Sequence, residues 1–227
     1  MLGALIRAFG QLFAPALRRV VVLSLAIAAG SFALLWLGVA LMLRHLPTVG
    51  WRLLDWLIDL LGVVGVALLS WLLFPAVVTM IMGLFVERVA AGVEALDYPG
   101  RGAPHRQSIR DALMMSVRLM LLTIALNLAM LPVYVLLPGV NVLAFLALNG
   151  YLLGREYFEM VASRRLDIAA VMTVRRRFGS RIFVAGTMIA GLFALPFVNL
   201  IAPVVATAFM VHVFEGLLAR PAAAVSS

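Results

Sequence analysis

The chain has 227 residues, of which 65% are hydrophobic and 12% charged, with a mean hydropathy of +1.12. Soluble domains carry about half apolar and a quarter charged residues, and disordered chains carry far fewer apolar ones, so both classes are excluded. The 18 basic residues are all Arg, against 10 acids, for a formal charge of +8, and cysteine is absent, which removes disulfides, thiolate nucleophiles and Cys-based clusters or zinc sites.

Residues 1–16 form the first predicted element. Leu5, Phe9, Leu12 and Phe13 recur at helical spacing and define an N-terminal amphipathic helix lying on the membrane surface. Pro15 suits the first turn of the helix that follows. Val20 to Leu43 is free of charge for 24 residues. At about 1.5 Å per residue it reaches about 36 Å, enough to cross a bilayer. Arg18, Arg19, Arg44 and His45 bracket it. Its length argues against a cleaved signal peptide, whose apolar region runs about 7–15 residues. His45 to Asp59 reads as an interfacial turn and short helix with Trp anchors. Leu60 to Val86 is a second uncharged run, of 27 residues, with a kink predicted at Pro75.

Glu87 to Arg118 is the first polar stretch. It contains the Gly- and Pro-rich loop DYPGRGAPHRQS, with Ser108 placed to cap a helix beginning near Ile109. Residues 119–153 and 182–214 are apolar but broken in the middle, by LPVYVLLPGVN and LPFVNLIAP. Each reads as a helical hairpin that re-enters the bilayer or makes two short spans. Either way the chain returns to the side it left. The stretch 154–181 between them holds seven of the 18 arginines. With the N-terminus inside, 16 of the 18 lie on the cytoplasmic side and Arg44 and Arg52 outside, so both termini are expected to be cytoplasmic.

The expected fold is therefore an all-α integral membrane protein. Residues 20–43 and 60–86 are its two long transmembrane helices, and 119–153 and 182–214 its two re-entrant or short helical hairpins. With the interfacial helix 1–16 they form a single membrane domain over 1–220, followed by a short tail, 221–227. Pro138-Gly-Val-Asn141 parallels Pro196-Phe-Val-Asn199 as a weak internal repeat, which shared hairpin chemistry would also produce.

No HExxH, GxSxG, Walker A or Ca²⁺-loop pattern occurs, and three scattered His supply no metal spacing. Neither an enzyme nor a metal or cofactor is expected. The basic excess belongs to membrane topology rather than to nucleic acid. Arg18 and Arg19 sit at a helix N-terminus, where free N–H groups and a partial positive charge already favour an anion. Two guanidiniums there are either orientation anchors or part of an oxyanion site. Arg155 and Glu159 are i, i+4 neighbours, and with Glu156 they form either a solvated helix end or a charged entrance to a pathway. Asn141 and Asn199, at the hairpin tips, either cap their turns or line a polar pathway. Arg175 to Arg177, near Arg181, suit a cluster held by anionic lipid. His212 and Glu215 flank the end of the last arm, and Ala26 and Gly30 suit close helix packing.

Three segments resemble one family. Pro15-Ala16-Leu17-Arg18-Arg19 is similar to the Pro-Gly-Leu-Arg-type entry to the first span of CysZ-like proteins. NGYLLGREYFEMVASRR (149–165) and LPFVNLIAPVVATAF (195–209) resemble the later signature segments of that family. The family joins bacterial CysZ sulfate permeases with the eukaryotic etoposide-induced membrane proteins, and the likeness covers almost the whole chain. It implies two long spanning helices, two hemi-penetrating hairpins and a homo-oligomer in the bacterial inner membrane, taking up sulfate for cysteine synthesis. It also implies sulfate binding at Leu17, Arg18 and the adjoining Arg19, with Ala16 where the family carries Gly. A non-transporting membrane scaffold or lipid-interacting protein of the same fold is the alternative.

Overall fold

Nine α-helices account for most of residues 1–44, 52–100 and 108–219, which the computed structural model describes, and no strand occurs among them. The predicted turn at 45–51, His105, Arg220 and the tail 221–227 lie outside the described residues. The first helix, α1 (Leu2–Gln11), is shorter than the predicted 1–16. The Ala14 N–H donates to the Gln11 carbonyl at 2.9 Å, and α2 (Pro15–Arg44) then starts on a proline whose missing N–H is no loss there. This turn moves Phe13 out of the predicted apolar stripe. Leu5, Phe9 and Leu12 pack inward against the core, while Phe13 is 81% exposed.

Helix α3 (Arg52–Gly83) runs through position 75 without a break and ends at Gly83, inside the predicted 60–86 run. Leu84 and Phe85 turn the chain into α4 (Val86–Asp97). Helix α5 (Ile109–Leu136) begins just after Ser108, as its sequence context predicts, although the Ser108 side chain makes no capping bond. After a 3-10 turn at Pro138–Val140 come α6 (Asn141–Ala162), α7 (Ile168–Arg177), α8 (Gly179–Ala194) and α9 (Val198–Leu218). Asp167 caps α7 by accepting from the Ala170 N–H at 2.7 Å. Arg175, Arg176 and Arg177 occupy its last turn, where the partial negative charge of the helix end favours them.

Leu17–Leu41, Arg110–Leu136 and Val198–Leu218 are long and apolar enough to cross a membrane. The uncharged Leu60–Gly83 stretch of α3 adds 24 residues, about 36 Å of helix. Both broken apolar stretches are helical hairpins: α5 and α6 turn at Pro138, α8 and α9 at Pro196. The residue before proline is driven out of the α region, and Leu195 accordingly adopts extended geometry. The arm after Pro138 extends beyond the predicted end of the hairpin at 153, because α6 continues through Glu156 and Glu159 to 22 residues. A charge count ends the apolar stretch at Arg155, but the backbone need not stop there, because Arg155 pairs with Glu159 one turn on.

The turn at Pro196 is strained. Phe197 has φ 66° and ψ −43°, and the Val198 N–H donates to the Pro196 carbonyl at 2.8 Å, a γ-turn of the rare positive-φ kind. Left-handed backbone costs a non-glycine residue about 1–2 kcal/mol, against about 0.5–1 kcal/mol of extra chain entropy for glycine. Phe197→Gly is therefore expected to raise stability in detergent by roughly 0.5–1 kcal/mol in a thermal melt. A fall would mean that the ring contributes more packing at this tip than its strain removes.

Helix α9 is the hub. Every residue from Ala202 to Glu215 is buried, against α1, α3, α4, α6 and α8. Such all-round apolarity marks an enclosed helix. The closest pair is α6 and α8, where Gly150, Gly154 and Gly186 let backbone meet backbone. Gly30 has open space around it, so its predicted role in packing finds no partner among the described residues.

Candidate functional site

Three regions carry the polar residues singled out in the sequence, and the structure does not bring them into one place. The first is the α1–α2 corner. Leu17 is wholly buried in the core, while Arg18 and Arg19 project outward and are exposed. Neither guanidinium has a carboxylate partner among the described residues. The Arg18 N–H already donates to the Ala14 carbonyl at 2.9 Å, so this residue offers a ligand its side chain rather than its backbone. The buried Leu17 side chain anchors the corner.

The second region lies at the ends of α4 and α6. Glu159 is buried, accepts a hydrogen bond from Arg155 Nε at 2.8 Å and forms an ion pair with Arg175, whose Nε lies 3.1 Å away. Glu94 is buried as well. Arg164 binds it bidentately, through Nε at 3.1 Å and Nη2 at 3.2 Å, and Arg165 Nη2 donates to the same carboxylate at 2.7 Å. Four guanidiniums around two carboxylates leave the cluster net positive. Arg155 and Glu159 were visible as a pair in the sequence, whereas Glu94, Arg164 and Arg165 were missed. One signal was available for Glu94: it stands on the buried face of α4, eight residues after Val86 and four after Ala90.

Beside this cluster is a cleft of about 900 Å³ between α4, α5 and α6. Glu87, Ser116, Thr123, Glu156, Ser163 and Arg164 give it a polar wall. Glu156 opens onto the cleft, yet the surrounding protein displaces enough water to raise its carboxyl pKa above the usual value. It has no ion-pair partner among the described residues.

The third region is the hairpin tips, and here the two parallel asparagines part company. Asn141 Nδ2 donates back to the Tyr134 carbonyl at 3.3 Å, which ties its turn to the end of α5. Asn199 instead faces a cavity of about 540 Å³ walled by Phe32, Trp36, Trp71 and Phe74. Its Oδ1 and the nearby Ser70 Oγ are buried without hydrogen-bond partners among the described residues. Among the described residues none that lines this cavity is charged. An ion would lose its water there with only the Asn199 amide and the Ser70 hydroxyl to replace it.

His212 is buried, and it bonds to Tyr98 and Gln11 from the α4 and α1 ends. Among the described residues no group of three or more His, Asp or Glu is placed to hold a metal ion. No curated protein sequence gives a significant match to the chain. Residues 4–203 match the family described as sulfate transporter CysZ/etoposide-induced protein 2.4. With several helices fit to cross a bilayer and that match over most of its length, the chain belongs to the CysZ/etoposide-induced protein 2.4 family of membrane transporters.

Proposed function

We propose that the protein carries a small inorganic oxyanion, sulfate first, across the bacterial inner membrane to supply cysteine synthesis. Arg18 and Arg19 carry the reading. Two exposed guanidiniums stand side by side at the start of a span, and neither has a carboxylate partner among the described residues. The partial positive charge of the α2 N-terminus makes that arrangement costly unless an anion or water screens it. A tetrahedral dianion suits it, because arginine binds such oxygens through paired N–H donors.

The polar cleft beside α4 and α6 suits onward passage better than the apolar cavity at Asn199. Arg164 attracts the ion there, and Glu87 and Glu156 keep it from binding too tightly to leave. In this reading Arg155, Glu156 and Glu159 belong to the inner mouth, and Asn141 and Asn199 shape the hairpin tips. The arginine distribution favours cytoplasmic termini, with the basic segments against anionic lipid. The assembly in this reading is a homo-oligomer of a single membrane domain over 1–220, as the resemblance to CysZ-like proteins implies.

Uptake of radiolabelled sulfate into proteoliposomes tests this. The wild type is expected to exceed protein-free vesicles. An Arg18→Ala/Arg19→Ala variant with an unchanged size-exclusion profile is expected to lose more than about tenfold, since hydrogen bonds to charged groups contribute about 1.5–3 kcal/mol each. Full flux in that variant would overturn the site. No flux in the wild type, with anionic phospholipid bound and undisturbed by sulfate, would favour the scaffold reading.

A further inference from the structure

Four side chains from three distant parts of the chain converge beside α1. The His212 side chain is completely buried in α9. Its Nδ1 lies 3.0 Å from Tyr98 Oη, and its Nε2 lies 3.1 Å from Gln11 Oε1. Gln11 Nε2 donates in turn to Asp97 Oδ2 at 2.9 Å, an oxygen that is 3.7 Å from His212 Nε2.

The carboxylate at one end assigns every proton. Asp97 only accepts, so the amide nitrogen of Gln11 faces it and the amide oxygen faces His212. That oxygen also only accepts, so His212 carries its proton on Nε2. Nδ1 is then left to accept from the Tyr98 hydroxyl. Each member has a single consistent role. The His212 end of the cluster lies within the apolar packing around α9, where an unmade bond is costly, while the Gln11–Asp97 bond is exposed.

The backbone carries this constraint onward. The Ala14 N–H donates to the Gln11 carbonyl, and the Ala14 carbonyl accepts from the Arg18 N–H, both at 2.9 Å. On the far side of the corner Leu17 is wholly buried. The link between Gln11 and Leu17 is therefore pinned at both ends, and Arg18 and Arg19 follow directly.

We infer that Gln11, Asp97, Tyr98 and His212 form a latch that fixes the α1–α2 corner and so positions Arg18 and Arg19. They are positioning residues and do not touch the anion. The effect on sulfate rests on the transport reading, whereas the effect on the corner does not.

The cysteine-free chain makes the test clean. A spin label on Phe13→Cys, at an exposed position in the link, reports corner mobility. Gln11→Leu and His212→Leu are expected to sharpen its spectrum. His212→Gln, which keeps a donor towards Gln11, is expected to restore the broad one. In parallel, half-saturation for sulfate should rise roughly three- to tenfold, the scale of one or two lost hydrogen bonds, with maximal flux held within about twofold. Gln11 is only partly buried, so Gln11→Leu serves should His212→Leu fail to fold. An unchanged label spectrum in the folded variants would overturn the latch. A mobile label with unchanged half-saturation would overturn its positioning role. A wild type that moves no sulfate would sink the transport reading, and the label spectrum would still decide the latch.

Discussion

Replacing Gly186 with leucine is expected to separate α6 from α8 and to destroy the folded protein in detergent. A Cβ at Gly186 would run into the Gly150 carbonyl oxygen and would lie 2.5 Å from both the backbone N and the Cα of Gly154. These are backbone atoms, with no rotamer to yield. On the opposing face a Cβ at Gly154 would sit 2.5 Å from the Ile182 carbonyl oxygen. Accommodating any side chain means moving whole helices apart. In lipid that separation is damaging, because close van der Waals packing between small residues is much of what holds helices together. Overpacking costs about 1–3 kcal/mol for small insertions and more where nothing can shift. Gly186→Ala should therefore lose about 3 kcal/mol, and Gly186→Leu should yield aggregate on size exclusion. Gly30→Ala is the control. Its Cβ meets open space, and within a helix alanine gains about 0.5–1 kcal/mol over glycine. Equal melting temperatures for Gly186→Ala and wild type would show that the two helices do not approach this closely.

Removing the Glu94 carboxylate is the second large effect. Glu94→Ala takes the bidentate carboxylate away from Arg164, whose side chain is only 15% exposed, and removes one ion-pair partner from Arg165. Breaking a buried ion pair by deleting one partner costs about 3–5 kcal/mol, because the remaining charge is left without water or counterion. The loss comes from the charge left on Arg164 and not from any large net value of the pair. Glu94→Leu combined with Arg164→Leu should accordingly recover part of the stability lost in Glu94→Ala. The measurement is chemical or thermal unfolding of the three variants in one detergent at one ionic strength. A double variant less stable than Glu94→Ala would mean that the attraction itself, and not the stranded charge, dominates.

The features legible before the structure were those written in local chemistry. Pro138 and Pro196 break their stretches because proline restrains itself and the residue before it. Arg155 and Glu159 meet because helical residues four apart share a face. The start of α5 after Ser108 follows from the return of apolar periodicity beyond a Gly- and Pro-rich loop. Where the reading depended on who stands opposite, it fell short. Asn141 and Asn199 have matching neighbours in sequence, yet one closes its own turn and the other faces an aromatic cavity. Glu94 gave no hint of its two arginines, which lie 70 and 71 residues away.

Hydropathy by itself determined that this chain lives in a membrane, that it is helical there and roughly where its helices turn. It could not determine which helix lies inside the protein. Among residues of the apolar windows, 83% are buried in α9 and none in α5, although both qualify as spans. In water, apolar residues point to the core because the alternative is solvent. In a bilayer the alternative is hydrocarbon, as apolar as the core, and the distinction disappears from composition. Tertiary structure decides it through polar pairings and close backbone contacts. His212 and Glu215 need protein around them, α6 and α8 need glycine between them, and only the assembled fold supplies both.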